Sequence, residues 1–529
     1  MKKRDLYTLA VALLGILLGV LLHATISQVR NAGKVRTSYG DWQKLNLVLQ
    51  TISREYVDTV DYQKVTDAVI TEALSCLDPH SVYMPPVELE ESETELSGNF
   101  EGIGIQFNVP NDTAIVLEVI PGGPAEKVGM LKGDRLIQVD EKVIAGVQFP
   151  QDSMVRRMRG LAGTKVVITV LRDGVSIPFE ITRDKIPVHS VDASFMVDDS
   201  TGYIRLAKFA KNTAKEFAEA ARDLMSQGMK RLIFDLRDNT GGYLDQALSL
   251  SNLFLKDGQL IVYTEGLHSP REDVKANGKG FLQDMPLTVL INEGSASSSE
   301  IFAGAIQDND RGVVIGRRSF GKGLVQKPVN FSDGSGMRLT VARFHTPSGR
   351  CIQKPYSDDY AYDIYKRYAD GEMVDADSIK VNKDEAFQTL GGRTVYGGGG
   401  IVPDVFVPMD TTRVTDFYMK SSKKATPMRF ASFYFDNHKA ELSAIDTFDG
   451  LLRYLDAASL DKAFLQFAAS RDGLSPASAE EWEKTAPYLM TQVRALVGRF
   501  SKLGEQAFYH IYLDIDSVIE EALKPHAID

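Results

Sequence analysis

Hydrophobic positions divide the chain into five segments. An almost unbroken apolar run from Leu6 to Ile26 follows Lys2, Lys3 and Arg4. At about 1.5 Å per helical residue it can cross about 30 Å of hydrocarbon, and its basic flank stays on the cytoplasmic side. Residues 1–34 are therefore expected to be a single N-terminal membrane helix. A removed signal peptide is the alternative, although Ala24-Thr25-Ile26 is a poor cleavage site and no nearby cysteine could accept a lipid. Residues 35–97 keep one face apolar at helical spacing, through Trp42, Leu45, Leu49, Ile52 and Tyr56 and then Val65, Ala68, Val69 and Ala73. Leu77-Asp78-Pro79-His80-Ser81 ends the second helix.

Residues 98–186 change character. Short β-branched runs such as Ala114–Ile120, Arg135–Val139 and Lys165–Leu171 are broken by glycine and proline, which predicts a small mainly-β module. From 187 to 410 apolar strands alternate with amphipathic helices, the pattern of a layered α/β domain. Residues 411–529 read as helical, with Trp482, Leu489, Val493, Leu496 and Phe500 marking one long candidate. Long amphipathic helices need partners, so this segment and 35–97 are expected to mediate self-association or frame an entrance.

Composition removes several function classes. The 529 residues carry a net charge of −11, which argues against a general nucleic-acid binder. Two cysteines, Cys76 and Cys351, and eight scattered histidines without an H-E-x-x-H offer no disulfide framework or zinc site, so neither a metal nor a cofactor is expected.

Candidate chemistry lies between 230 and 330. The strand Arg231–Asp235 runs into Leu236-Arg237-Asp238-Asn239-Thr240-Gly241-Gly242, where adjacent glycines let the backbone turn sharply and present N–H groups. A second strand, Thr288–Asn292, leads through Glu293-Gly294 into Ser295-Ala296-Ser297-Ser298-Ser299-Glu300 and a helix with Ile301, Phe302, Ala305 and Ile306 inward. A serine at such a corner suits a nucleophile beside oxyanion donors, but it equally suits plain helix capping. The next strand, Gly312–Gly316, precedes Arg317-Arg318-Ser319-Phe320-Gly321-Lys322-Gly323. Gly316 to Lys322 fits a phosphate loop, yet Gly323 stands where Ser or Thr would hold magnesium, and a strand follows instead of a helix. Ser319 to Lys322 fits S-x-x-K, but the flanking glycines oppose the helical turn that motif needs. What remains is a glycine-flanked lysine that could act as a base if burial lowers its pKa, or else a solvated surface lysine.

Asp235 to Gly242, Gly294 to Ile301 and Phe320 to Gly323 together resemble the carboxy-terminal processing, or tail-specific, peptidases, which are serine–lysine endopeptidases with an inserted PDZ domain. The resemblance runs from Leu77-Asp78-Pro79-His80-Ser81 to Gly398-Gly399-Gly400-Ile401-Val402-Pro403-Asp404. It implies an α/β serine protease core at 187–410 with an inserted PDZ-like domain at 98–186, between the N-terminal helical segment and the helical C-terminal domain that the pattern predicts. It also implies Ser297 as nucleophile, Lys322 as general base and Gln326 as the residue orienting the lysine. Residues 322, 324 and 326 of an extended segment project to one side, so that orientation is geometrically sound. The expected oxyanion donors are the backbone N–H groups near Gly241 and Ser298. Ser298 stands where the family usually has alanine, which leaves the choice among Ser297, Ser298 and Ser299 open on sequence alone.

In the PDZ-like module Gly102-Ile103-Gly104-Ile105 is the expected receptor for a peptide's terminal carboxylate, with the peptide adding as a strand. Those glycines could also simply relieve a tight turn. The expectation is a serine endopeptidase, anchored in the cell inner membrane with its catalytic part on the periplasmic side. It would cleave exported proteins near unstructured C-termini, with a homo-oligomer or adaptor as possible partners. The alternatives are an inactive PDZ peptide-binding scaffold on the same fold, or acyl transfer by the same serine and lysine.

Overall fold

The computed structural model describes residues 39–96, 99–109, 112–120, 122–187, 189–357 and 360–526. The expected membrane helix lies outside the described residues, and among those described no helix is long and apolar enough to cross a membrane. The described residues up to Glu72 form one compact unit and those from Ala73 onward another. In the first, the helix Tyr39–Glu55 half-buries Leu45, Leu49 and Ile52, while Tyr56 falls beyond its end and is exposed.

In the second unit the stretch after Ser81 departs from the helical expectation. Val82–Met84 is a short strand that pairs antiparallel with Gly336–His345, and a helix resumes only at Pro86–Leu96. The mainly-β module is a six-stranded sheet with the strand Ile105–Asn108 at one edge. Its inward residues Ala114, Val116, Leu136, Val166 and Ile168 form a core of their own.

A six-stranded sheet carries the site. Arg231–Asp235, Leu287–Ile291 and Val313–Gly316 lie side by side and parallel, with Thr201–Leu206 and Val405–Phe406 flanking them. Alternation along each strand gives two buried faces. Leu232 and Phe234 face the helix Ser298–Asp308, whereas Ile233 and Leu290 face Val518, Ile519 and Ala522 of the helix Ser517–Ala522. The chain's last helices thus form one layer of the core.

The helix Ser298–Asp308 was expected to bury one face. All eleven of its residues are buried. Such a helix has no solvated side, and its polar residues are satisfied within the protein: Asp308 pairs with Arg350 at 2.7 Å, both side chains fully buried. Phe302 sits edge-on to Phe234 and Phe254 at its centre. Phe302→Ala is expected to lower stability by about 3–5 kcal/mol, read as a fall in the urea midpoint with unchanged m-value.

Candidate active site

The serine corner is built by strain and then pinned. Ser297 has φ 55° and ψ −112°, a positive-φ conformation that a non-glycine residue holds only when its surroundings impose it. Three serines around it supply those surroundings. Ser295 Oγ donates to Leu236 O at 2.8 Å, Ser298 Oγ to Gly242 O at 3.0 Å and Ser299 Oγ to Asn239 O at 2.8 Å. All three are buried, and their hydroxyls stitch the corner to the 236–242 turn. Ser297 is the partly exposed serine of the run; its side-chain oxygen caps the helix, accepting from the Glu300 backbone N–H, and among the described residues its hydroxyl donates to no protein acceptor.

The turn could not approach so closely with side chains. A Cβ on Gly241 would lie 2.8 Å from Ser297 Cβ and 2.9 Å from Ser298 N, and Gly241 has φ 97°. The expected oxyanion donor at Gly241 is occupied here, because its N–H donates to Asn239 Oδ1 at 2.9 Å. Gly242 bridges Phe209 in parallel fashion, which leaves its own N–H and C=O on the opposite edge, and its C=O already meets Ser298 Oγ. Among the described residues no protein acceptor takes the N–H of Gly242 or of Ser298.

Lys322 lies in the loop between Val313–Gly316 and the strand Leu324–Asn330, so the phosphate-loop and S-x-x-K spacings sit on no helix. Its Nζ donates to Gln326 Oε1 at 3.1 Å, and Gln326 Nε2 donates to His80 O at 2.5 Å. The Leu77–Ser81 stretch therefore supports the lysine from behind. Asp78 shapes it by accepting from His80 N, Ser81 N and Ser81 Oγ. Among the described residues no hydrogen bond joins Ser297 Oγ to Lys322 Nζ.

Glu300 joins the two halves. One carboxylate oxygen accepts from Ser297 N at 2.8 Å and Lys322 N at 2.9 Å; the other accepts from Ser319 Oγ at 2.5 Å and Gly321 N at 2.7 Å. The serine and lysine segments are thus neighbours through one buried atom. Burial pushes the Glu300 carboxyl up, against the pull of these four donors. Burial also depresses the Lys322 ammonium, helped by the Arg338 charge and opposed by Glu300 and Asp78. His80 is pushed down to about 4, by burial first and the Lys322 charge second, so it is neutral at working pH.

A model of peptidase family S41 matches residues 200–362, which include Ser297, Glu300, Lys322 and Gln326, and a PDZ domain model matches 102–182. The chain is 37% identical to the carboxy-terminal-processing protease of Bartonella bacilliformis over 346 residues, covering 63% of this chain and 78% of that protein. It is 36% identical to the carboxy-terminal processing protease CtpA of Bacillus subtilis, covering 66% and 76%. The chain belongs to the S41 carboxy-terminal processing proteases. A solved photosystem II D1 C-terminal processing protease is 27% identical, with a TM-score of 0.39 over 70% of this chain and 88% of that one.

In this S41 peptidase the expected carboxylate receptor, Gly102 to Ile105, lies at the entry to the edge strand of the PDZ domain. Gly104 has φ 79° and turns the chain into the edge strand Ile105–Asn108, while Gly102 just before it lies against the end of the helix Gln151–Met158, a Cβ there being 3.6 Å from Met158 O. Ile103 is buried in the domain core, its O accepting from Ala125 N. Among the described residues no protein acceptor takes the N–H of Ile103 or Gly104.

Two functional contributors escape sequence reasoning. Glu300 reads as half of a capping pair with Ser297, which is true, but its bonds to residues 319–322 are non-local. His80 acts through its carbonyl, which no residue type reveals.

Proposed function

We propose that this serine peptidase cleaves unstructured C-terminal tails of exported proteins with Ser297 as nucleophile and Lys322 as base. The single observation that carries this reading is that Ser297 alone in its serine run gives its hydroxyl proton to no carbonyl, on a corner tied through Glu300 to the lysine segment. A neutral Lys322 amine donating one N–H to Gln326 keeps its lone pair free to take the Ser297 proton once the substrate closes the gap. Ser297 Oγ then attacks the scissile carbonyl. The developing oxyanion lies against the N–H groups of Ser298 and Gly242, each worth about 3–4 kcal/mol of transition-state stabilisation. Lysine returns the proton to the leaving amine, and water releases the acyl group by the reverse sequence. The edge strand Ile105–Asn108 and the free N–H groups of Ile103 and Gly104 favour capture of a terminal carboxylate by the PDZ domain. The basic flank and apolar run at 2–26 support anchoring in the inner membrane with the catalytic part outside the cytoplasm.

Mass spectrometry of a folded protein with an unstructured tail tests this. Wild type should trim the tail and Ser297→Ala should leave it intact, with an unchanged melting temperature. Undiminished trimming by Ser297→Ala would reassign the nucleophile. Amidating the tail's C-terminus should raise KM about tenfold or more with little change in kcat; equal KM values would remove the PDZ carboxylate from the account.

A further inference from the structure

The turn that meets Ser297 is held at its foot by a residue from the far end of the chain. Arg237 lies between two carboxylates. Its guanidinium donates to Asp235 Oδ2 at 2.6 Å on one side and, through Nη1, to Asp516 Oδ1 at 3.0 Å on the other, where Nη2 also lies 2.7 Å from Asp516 Oδ2. The Asp516 side chain is only 8% exposed. Its Oδ1 also accepts from Val518 N and Ile519 N, capping the helix Ser517–Ala522. Asp235 is more than committed without it, accepting from Tyr203 Oη and Arg205 Nη1 as well as from Arg237. Asp235 thus serves two guanidiniums, and Asp516 supplies the carboxylate that balances the second. What it adds is a bidentate clamp that fixes the Arg237 plane, four residues before Gly241.

We propose that Asp516 is a positioning residue through which the C-terminal helical domain sets the 236–242 turn against Ser297, and with it the oxyanion donors. This rests on the Ser297 reading given above. The rest of the domain is placed to make that clamp firm. Gln506 Oε1 accepts from Ser194 N at 3.1 Å, and the His510 ring stacks on Phe195. Leu523 O accepts from Arg231 Nη1 at 2.9 Å, at the start of the very strand that delivers the turn. The same domain also grips the PDZ domain. Lys132 Nζ donates to Arg499 O and Ser501 O at the end of the helix Ala479–Phe500, and Ile115 is buried among its aromatic side chains. The C-terminal helical segment thus touches both the PDZ domain and the foot of the 236–242 turn. Segment 411–526 is part of the catalytic architecture.

The test separates clamp from cap by pairing two substitutions. Asn caps a helix about as well as Asp but cannot form the ion pair; Glu keeps the charge and is a poorer cap. Asp516→Asn keeps the cap but leaves Arg237 one carboxylate short, so it is expected to melt lower than wild type; well below that transition KM should be unchanged while kcat for tail cleavage falls about 10²-fold, the scale of a misplacement near 1 Å. Asp516→Glu is expected to melt lower yet recover kcat to within about tenfold of wild type. A kcat for Asp516→Asn equal to that of wild type, at a temperature where both are folded, would overturn the proposal. A wild-type protein that cleaves no tail at all would instead refute the function on which it rests.

Discussion

Lys322→Ala should lower kcat/KM for a tailed protein about 10⁴-fold while the protein stays folded. A general base in the transition state contributes about 10²–10⁴-fold, and groups acting as a unit lose nearly everything when one is removed. His80, the nearest alternative base, cannot substitute. Its imidazole is turned to Tyr360 at 2.6 Å, and burial lowers its pKa to about 4, too weak a base for a serine hydroxyl. Lys354 is also buried, but its Nζ is held by Tyr360 O and Asp363 and covered by the Phe320 and Tyr360 rings. Steady-state cleavage with mass-resolved products checks the figure. A drop below tenfold would mean another group takes the proton.

Glu300→Gln should be nearly as damaging, for a different reason. The carboxylate accepts four hydrogen bonds, two on each oxygen. An amide offers one acceptor oxygen and one NH2. The Ser319 hydroxyl can reverse and accept, but in either amide orientation at least one backbone N–H, from Gly321 or from Ser297 and Lys322, faces another donor. Each unmet buried donor costs about 1–3 kcal/mol. Because these donors belong to the Ser297 and Lys322 backbones, their shift is expected to cut kcat by about 10²–10³-fold with little change in KM. A stability loss without a kcat loss would make Glu300 a fold residue only.

These residues show how far sequence reaches. The strand–turn and strand–corner readings at 231–242 and 288–301 are local. They rest on β-branched runs ending at glycine, and Arg231–Asp235 and Leu287–Ile291 form there. The helix after the corner was expected to be one-sided because periodicity reports a helix's own pattern, not how many layers close on it; here strands and loops cover every side. The strand Val82–Met84 escaped because three residues carry no pattern of their own and exist as a strand only through Gly336–His345. Distance along the chain hid the rest. Glu300 meets residues 319–322, Gln326 meets His80, and Arg237 meets Asp516, pairings that no local rule can find. Ser295, Ser298 and Ser299 are chemically identical to Ser297 in sequence, and they are told apart by the carbonyls that hold three of them.

If Lys322 takes the serine proton, activity follows the fraction of its amine that is unprotonated, and the pH profile of kcat/KM reads that fraction. Burial and the Arg338 charge both disfavour the ammonium form. Activity should therefore rise with pH through one ionisation below the ordinary lysine value of 10.5 and then level off. Arg338→Gln removes the cation that lowers that pKa, so its rising limb should move to higher pH with the plateau rate retained. A limb that stays where it is in Arg338→Gln would show that the titrating base is not Lys322.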